Sequence, residues 1–132
     1  MKHLAIFKGD TAEDILSGGK SIEIRFSKSK IAPFGVISAG DIVYIKPSGK
    51  DIIGQFRVKK VISIDGVTKE DLENMTKTYI DAIVQVYGDE VEKIKKDKLK
   101  YATIIFIGEA NRFITSPVKI SKRDLRGWMV LD

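Results

Sequence analysis

The stretch Gly18-Gly19-Lys20-Ser21-Ile22-Glu23-Ile24-Arg25-Phe26 decides how this chain is read. The two glycines stop whatever precedes them, because glycine adopts the left-handed backbone that ends helices at little cost. The residues after them alternate. Ile22, Ile24 and Phe26 point one way while Ser21, Glu23 and Arg25 point the other, the period of a strand with one apolar face. The same period puts Lys20 on the Ile22 side, so a lysine begins the strand facing the core. Its amine must then snorkel out through an open end of the fold or sit partly desolvated in a cleft, where a lysine can serve as a base. Glu23 and Arg25 lie two residues apart on one face, roughly 7 Å between Cα atoms, close enough for their heads to pair. Such a pair could hold a phosphate through Arg25 while Glu23 orients it or accepts an N–H. It is equally an ordinary structural device on a sheet face.

Working outward, residues 3–7 read as a short strand. Asp10 starts a helix in a D-x-x-E arrangement with Glu13, and Ala12, Ile15 and Leu16 supply its apolar stripe. Residues 27–40 form a long connection punctuated by Pro33, Gly35 and Gly40. Residues 41–46 read as a strand, Pro47-Ser48-Gly49-Lys50 as a turn, and residues 51–64 as a long strand. In that strand Ile52, Phe56, Val58, Ile62 and Ile64 are expected to share the apolar face, with Gln55, Arg57 and Lys59 on the other.

Thr68 is the expected N-cap of a helix to about residue 75. Ile80, Ile83, Val84 and Tyr87 keep helical spacing in a second helix, and a lysine-rich third helix comes after Gly88. Residues 101–107 are apolar and β-branched, the mark of a strand buried on both faces. One more strand is expected over 113–120, and then a turn or short helix over 121–128 that docks Trp128. The order β-α-β-β-β-α-α-β-β predicts an α+β fold: one domain over residues 1–132, a small mixed β-barrel flanked by helices.

Composition narrows the chemistry. The 132 residues contain no Cys and one His, which excludes disulfides, thiolate catalysis, Cys-ligated metal centres and multi-histidine metal clusters. No residue cluster calls for a metal or a cofactor. The apolar run Ile104-Ile105-Phe106-Ile107 is far short of the ~20 residues that span a bilayer. The N-terminal stretch lacks a signal peptide's apolar region, so a cytoplasmic location and no membrane partner are expected. The net charge of +5 hides a segregation: residues 19–60 hold nine basic and three acidic residues, and residues 61–91 two basic and seven acidic. Charge sorted in this way suits a polyanion partner, although solvated strand edges and helix faces also carry lysine.

The motif G-x-K-x-x-E-x-R over residues 18–25, with Ala39-Gly40-Asp41-Ile42-Val43 after it, resembles the signature of ASCH domains in the PUA-like superfamily of RNA-associated β-barrels. The resemblance implies a PUA-like barrel that binds RNA or a nucleotide in a cleft around Gly18, Lys20, Glu23 and Arg25. Arg57 and Lys59, with Lys28 and Lys30, would then extend a phosphate path, and Tyr44 and Phe34 are aromatics able to stack a base. The sequence is also similar to small bacterial N(4)-acetylcytidine amidohydrolases, through residues 13–25 and through Glu73-Asn74-Met75-Thr76. That family's catalytic Lys maps onto Lys20 and its Glu onto Glu73, whereas its Thr falls at Glu23, and a carboxylate does not replace a hydroxyl nucleophile. What the resemblance implies as alternatives is hydrolysis of an acylated nucleoside with Lys20, Glu23 and Glu73 as catalytic groups, or a metal-independent ribonuclease. The oligomeric state is open, and His3 is assigned no role.

Overall fold

A computed structural model describes residues 1–78, 99–115 and 127–131 of the chain. Strand β1 (Lys2–Phe7) is followed by helix α1 (Thr11–Leu16), strands β2 (Ile22–Ser27), β3 (Ile42–Pro47) and β4 (Gly54–Asp65), and helix α2 (Lys69–Thr78). Strands β5 (Tyr101–Arg112) and β6 (Trp128–Val130) complete a six-stranded mixed sheet of order β2-β5-β4-β3-β1-β6. The one parallel pair is β1–β3, and the other neighbours are antiparallel. The sheet curls into a half-barrel, so the α+β barrel expectation describes the fold. No helix among the described residues is long and apolar enough to cross a membrane.

The core divides by strand face. Ala5, Phe7, Val43, Ile45, Phe56 and Ile105 turn into the barrel, where each is at most 2% exposed. Full burial of a Val, Ile or Phe side chain stabilises by about 1.5–3 kcal/mol, so this interior contributes substantially to stability. On the outer face of β2 and β5, Ile24, Ala102 and Ile104 pack with Met75 of α2. Strand β5 is thus buried on both faces, as its apolar run predicts.

Several expectations need correction. Residues 51–53 precede β4 rather than belong to it. The register of β4 on β5 shifts between Phe56 and Val58 and again between Val58 and Lys60. Each bulge inserts an unpaired residue and changes the parity of a strand. Phe56 and Val58 therefore face the interior together with Val61, while Ile62 and Ile64 face α2, so the five apolar residues do not share one side. The helix at Asp10 lacks the expected side-chain cap: Asp10 makes none, and Glu13 pairs with Arg112. The box forms instead at α2, where the Asp71 N–H donates to Thr68 Oγ1 at 3.0 Å and the Thr68 N–H to Asp71 Oδ2 at 2.9 Å. Trp128 lies in a strand rather than in a turn or helix, and residues 113–115 are outside any strand. The helix expected around residues 80–87, the lysine-rich helix expected after Gly88 as far as residue 98, and the rest of the strand expected over 113–120 lie outside the described residues.

Candidate functional site

The interior face of β2 carries two charged side chains in register with the core. Glu23 stands opposite Ile105 of β5 and Arg25 opposite Thr103, so both point into the barrel. Gly18, at φ +84°, ends α1, and the Lys20 N–H donates to the Asp14 carbonyl at 3.0 Å. Strand β2 begins only at Ile22, so Lys20 belongs to this turn and escapes the two-residue period. It sits on the Glu23 side rather than the Ile22 side, with Nζ 3.5 Å from Glu23 Oε2.

The two side chains are 1% and 2% exposed, and neither Lys20 Nζ nor Glu23 Oε2 has a hydrogen-bond partner among the described residues. A buried charge pair without further hydrogen bonds is costly to keep, since desolvation offsets much of the attraction. The other carboxylate oxygen is satisfied, because Arg25 Nε donates to Glu23 Oε1 at 3.2 Å. Arg25 Nη2 donates to the Ile6 carbonyl at 2.9 Å and Nη1 to the Gly127 carbonyl at 3.4 Å. Its guanidinium also lies 5.1 Å from the Phe7 ring centre and 5.4 Å from that of Trp128. Arg25 thereby spans from β2, at one end of the strand order, to β1 and the start of β6 at the other, and ties the half-barrel across its opening.

The same interior holds a second polar group, built from His3 and Trp128, which no motif marks, and from Asp41 of the stretch over residues 39–43. His3 is 0% exposed; its Nε2 lies 2.8 Å from Asp41 Oδ2, and its Nδ1 accepts the Trp128 indole N–H at 3.1 Å. An indole nitrogen can only donate, so the ring proton of His3 is on Nε2, directed at Asp41. Asp41 also accepts the Ser38 N–H at 3.0 Å and lies 3.4 Å from the Met1 amine. Burial alone would raise the Asp41 carboxyl. The His3 and Ser38 hydrogen bonds and the amine outweigh it and hold the group below its ordinary value of 3.8. Strand alternation was the available signal, since His3 shares the parity of Ala5 and Phe7 in β1.

The remaining expected site residues lie elsewhere. Glu73 is exposed on α2, whose Met75 packs on the Ile24 face of β2, and adjacent strand residues point to opposite faces. Glu73 therefore stands on the other side of the sheet from Lys20 and Glu23. Arg57 and Lys59 are exposed on β4, pointing away from the interior that Phe56 and Val58 face, and Arg57 Nη1 donates to the Gly40 carbonyl at 3.1 Å. Tyr44 is buried with Leu4 and Ile52 on the face of β3 opposite Val43, and Phe34 packs against Tyr101 at 5.0 Å between ring centres. Lys28 and Lys30 are exposed beyond the end of β2, with Lys30 Nζ 3.5 Å from Asp65.

No family model and no curated protein matches this chain. Solved structures do. A serine-to-alanine variant of the ASCH protein from Zymomonas mobilis superposes with a TM-score of 0.70 at 11% identity, covering 99% of this chain and 88% of that one. The unsubstituted Zymomonas mobilis ASCH protein gives 0.60 at 14% identity over 84% and 69% of the two chains. A protein from Enterococcus faecalis gives 0.51 at 13% identity over 91% and 86%. These superpositions show that the chain has the α+β, barrel-like fold of the Zymomonas mobilis ASCH protein structures.

Proposed function

We propose that this domain binds RNA or a nucleotide by taking the polar edge of a base between Lys20 and Glu23. The observation that carries the reading is the pair of buried, unsatisfied atoms, an ammonium donor and a carboxylate acceptor 3.5 Å apart. A planar group with an N–H beside a carbonyl or ring nitrogen offers the complement: its N–H donates to Oε2 and its acceptor takes an Nζ proton. Filling both removes the penalty of two unpaired polar atoms, which gives such a ligand an advantage over one that satisfies neither. Phosphate is the poorer fit, because Glu23 Oε2 would repel it and Nε, Nη1 and Nη2 of Arg25 already donate to protein acceptors. In an RNA the backbone would stay outside, against exposed lysines such as Lys28 and Lys30, and that part of the binding would weaken as salt rises.

A hydrolytic reading of the same site rests on Lys20 and Glu23 without Glu73. One experiment addresses both. Trp128 is the only tryptophan and touches Arg25, so its fluorescence reports the site. Cytidine, uridine and inorganic phosphate are titrated against the protein and against K20A, with N(4)-acetylcytidine and a labelled RNA oligonucleotide assayed for products in parallel. The expected result is a saturable response to nucleoside that K20A loses and phosphate does not reproduce. Binding of neither nucleoside nor RNA overturns the proposal, and product formation abolished by K20A moves the domain to the enzymes.

A further inference from the structure

We infer that Asp41, His3 and Trp128 form a positioning relay that holds Arg25, and through it Glu23, in the geometry the site requires. The inference rests on the proposed ligand site for its consequence, but the chain of contacts stands on its own. Asp41 accepts from His3 Nε2 at 2.8 Å, and His3 Nδ1 takes the indole N–H at 3.1 Å, which fixes the rotation of the Trp128 ring about its side-chain bonds. The indole face then lies 5.4 Å from the Arg25 guanidinium, with Phe7 at 5.1 Å. Gly127 completes the seat, since its carbonyl accepts from Arg25 Nη1 at 3.4 Å. Arg25 Nε holds Glu23 Oε1, which leaves Oε2 as the oxygen turned to Lys20.

Each link has a separate reason to be directional. The imidazole is the member with both an acceptor and a donor, so it can face a donor on one side and a carboxylate on the other. A packed aromatic interior alone would need none of this polarity. Leu or Phe in place of His3 would fill the volume without a carboxylate to satisfy. The cost of burying His3 and most of Asp41 is matched by the orientation of one ring, and that ring supports the arginine that sets the carboxylate. His3 itself is fully covered by protein, so it is a positioning residue and not a catalytic one.

The test separates positioning from mere stability. His3→Leu removes both polar contacts, whereas His3→Gln keeps one acceptor and one donor at nearly the imidazole spacing. Each variant is held at a temperature where circular dichroism shows it folded, and cytidine affinity is measured with the folded protein. We expect H3L to bind about tenfold more weakly and H3Q to stay within about threefold of the unsubstituted protein, a difference that reflects lost geometry at Glu23. Folded H3L binding with unchanged affinity overturns the relay. Should the unsubstituted protein bind no nucleoside, the proposed function fails. The relay is then judged by hydrogen exchange at Arg25 Nε in the free protein: at least tenfold faster exchange in H3L supports it, and equal exchange overturns it.

Discussion

At the scale of single residues, Glu23 uses its two oxygens differently. Oε1 is neutralised by Arg25, and Oε2 faces an ammonium that has no hydrogen bond among the described residues. The two ends of the Lys20–Glu23 pair should then respond unequally to truncation. Glu23→Ala strands a buried lysine charge, for which about 3–5 kcal/mol of stability is lost when one partner of a buried pair is removed. Lys20→Met leaves Glu23 with Arg25 and exposes only one unsatisfied oxygen, a loss of about 1–3 kcal/mol. Urea denaturation at neutral pH measures both. If K20M proved the more damaging, Arg25 would not be the counter-ion that sustains Glu23. The double variant K20M/E23M is expected to be at least as stable as E23A and to bind nothing, because an apolar pair escapes the desolvation cost but offers no polar edge.

At the scale of elements, the start of β4 leaves the least room of any glycine position among the described residues. A Cβ on Gly54 would lie 2.5 Å from the Asn111 carbonyl oxygen of β5 and 2.8 Å from Leu16 of α1. Backbone cannot turn aside as a side chain can, so Gly54→Ala should cost about 1–3 kcal/mol through strain in β4 and β5. Gly19→Ala meets nothing closer than 3.6 Å and is expected to be within about 0.5 kcal/mol of neutral. Equal unfolding midpoints for the two variants would contradict this packing. Elements of this kind are partly legible in the sequence. The alternation of β2, the two-sided burial of β5 and the Thr68 cap come directly from residue periods and hydrogen-bonding side chains. The paired bulges of β4 and β5 do not, because an inserted residue leaves each half of the apolar pattern intact and changes only their relative parity. Lys20 departs from expectation for a related reason, since it stands two residues before β2, in a turn where the strand period does not apply. His3 and Trp128 match no motif; their hydrogen bond joins residues 125 apart in sequence, a distance over which local patterning carries no information.

At the scale of the molecule, Asp41 links β1, the approach to β3 and, through His3, β6. Its carboxyl is held below 3.8 in the fold, so the unfolded chain binds a proton at a higher pH than the folded one does. Its stabilisation is therefore complete above that unfolded value and is lost as pH falls through the lower folded value. Unfolding free energy measured from about pH 5 down to about pH 2 should decline with a component that Asp41→Asn removes. An identical acid slope in D41N would show that the carboxylate makes no net contribution through its hydrogen bonds.

The strand order also sets a timetable. Of the described strands β1 is made first, yet it lies between β3 and β6, and β6 is made last. During synthesis Lys20, Glu23 and Arg25 leave the ribosome about 100 residues ahead of Gly127 and Trp128. Until residue 128 has emerged, His3 waits for its indole and Arg25 for the Gly127 carbonyl. A chain not yet extended to Trp128 would thus carry Lys20, Glu23 and Arg25 without the far contacts that seat the arginine, so the interior of the half-barrel is completed by β6 rather than by the stretch that bears the motif.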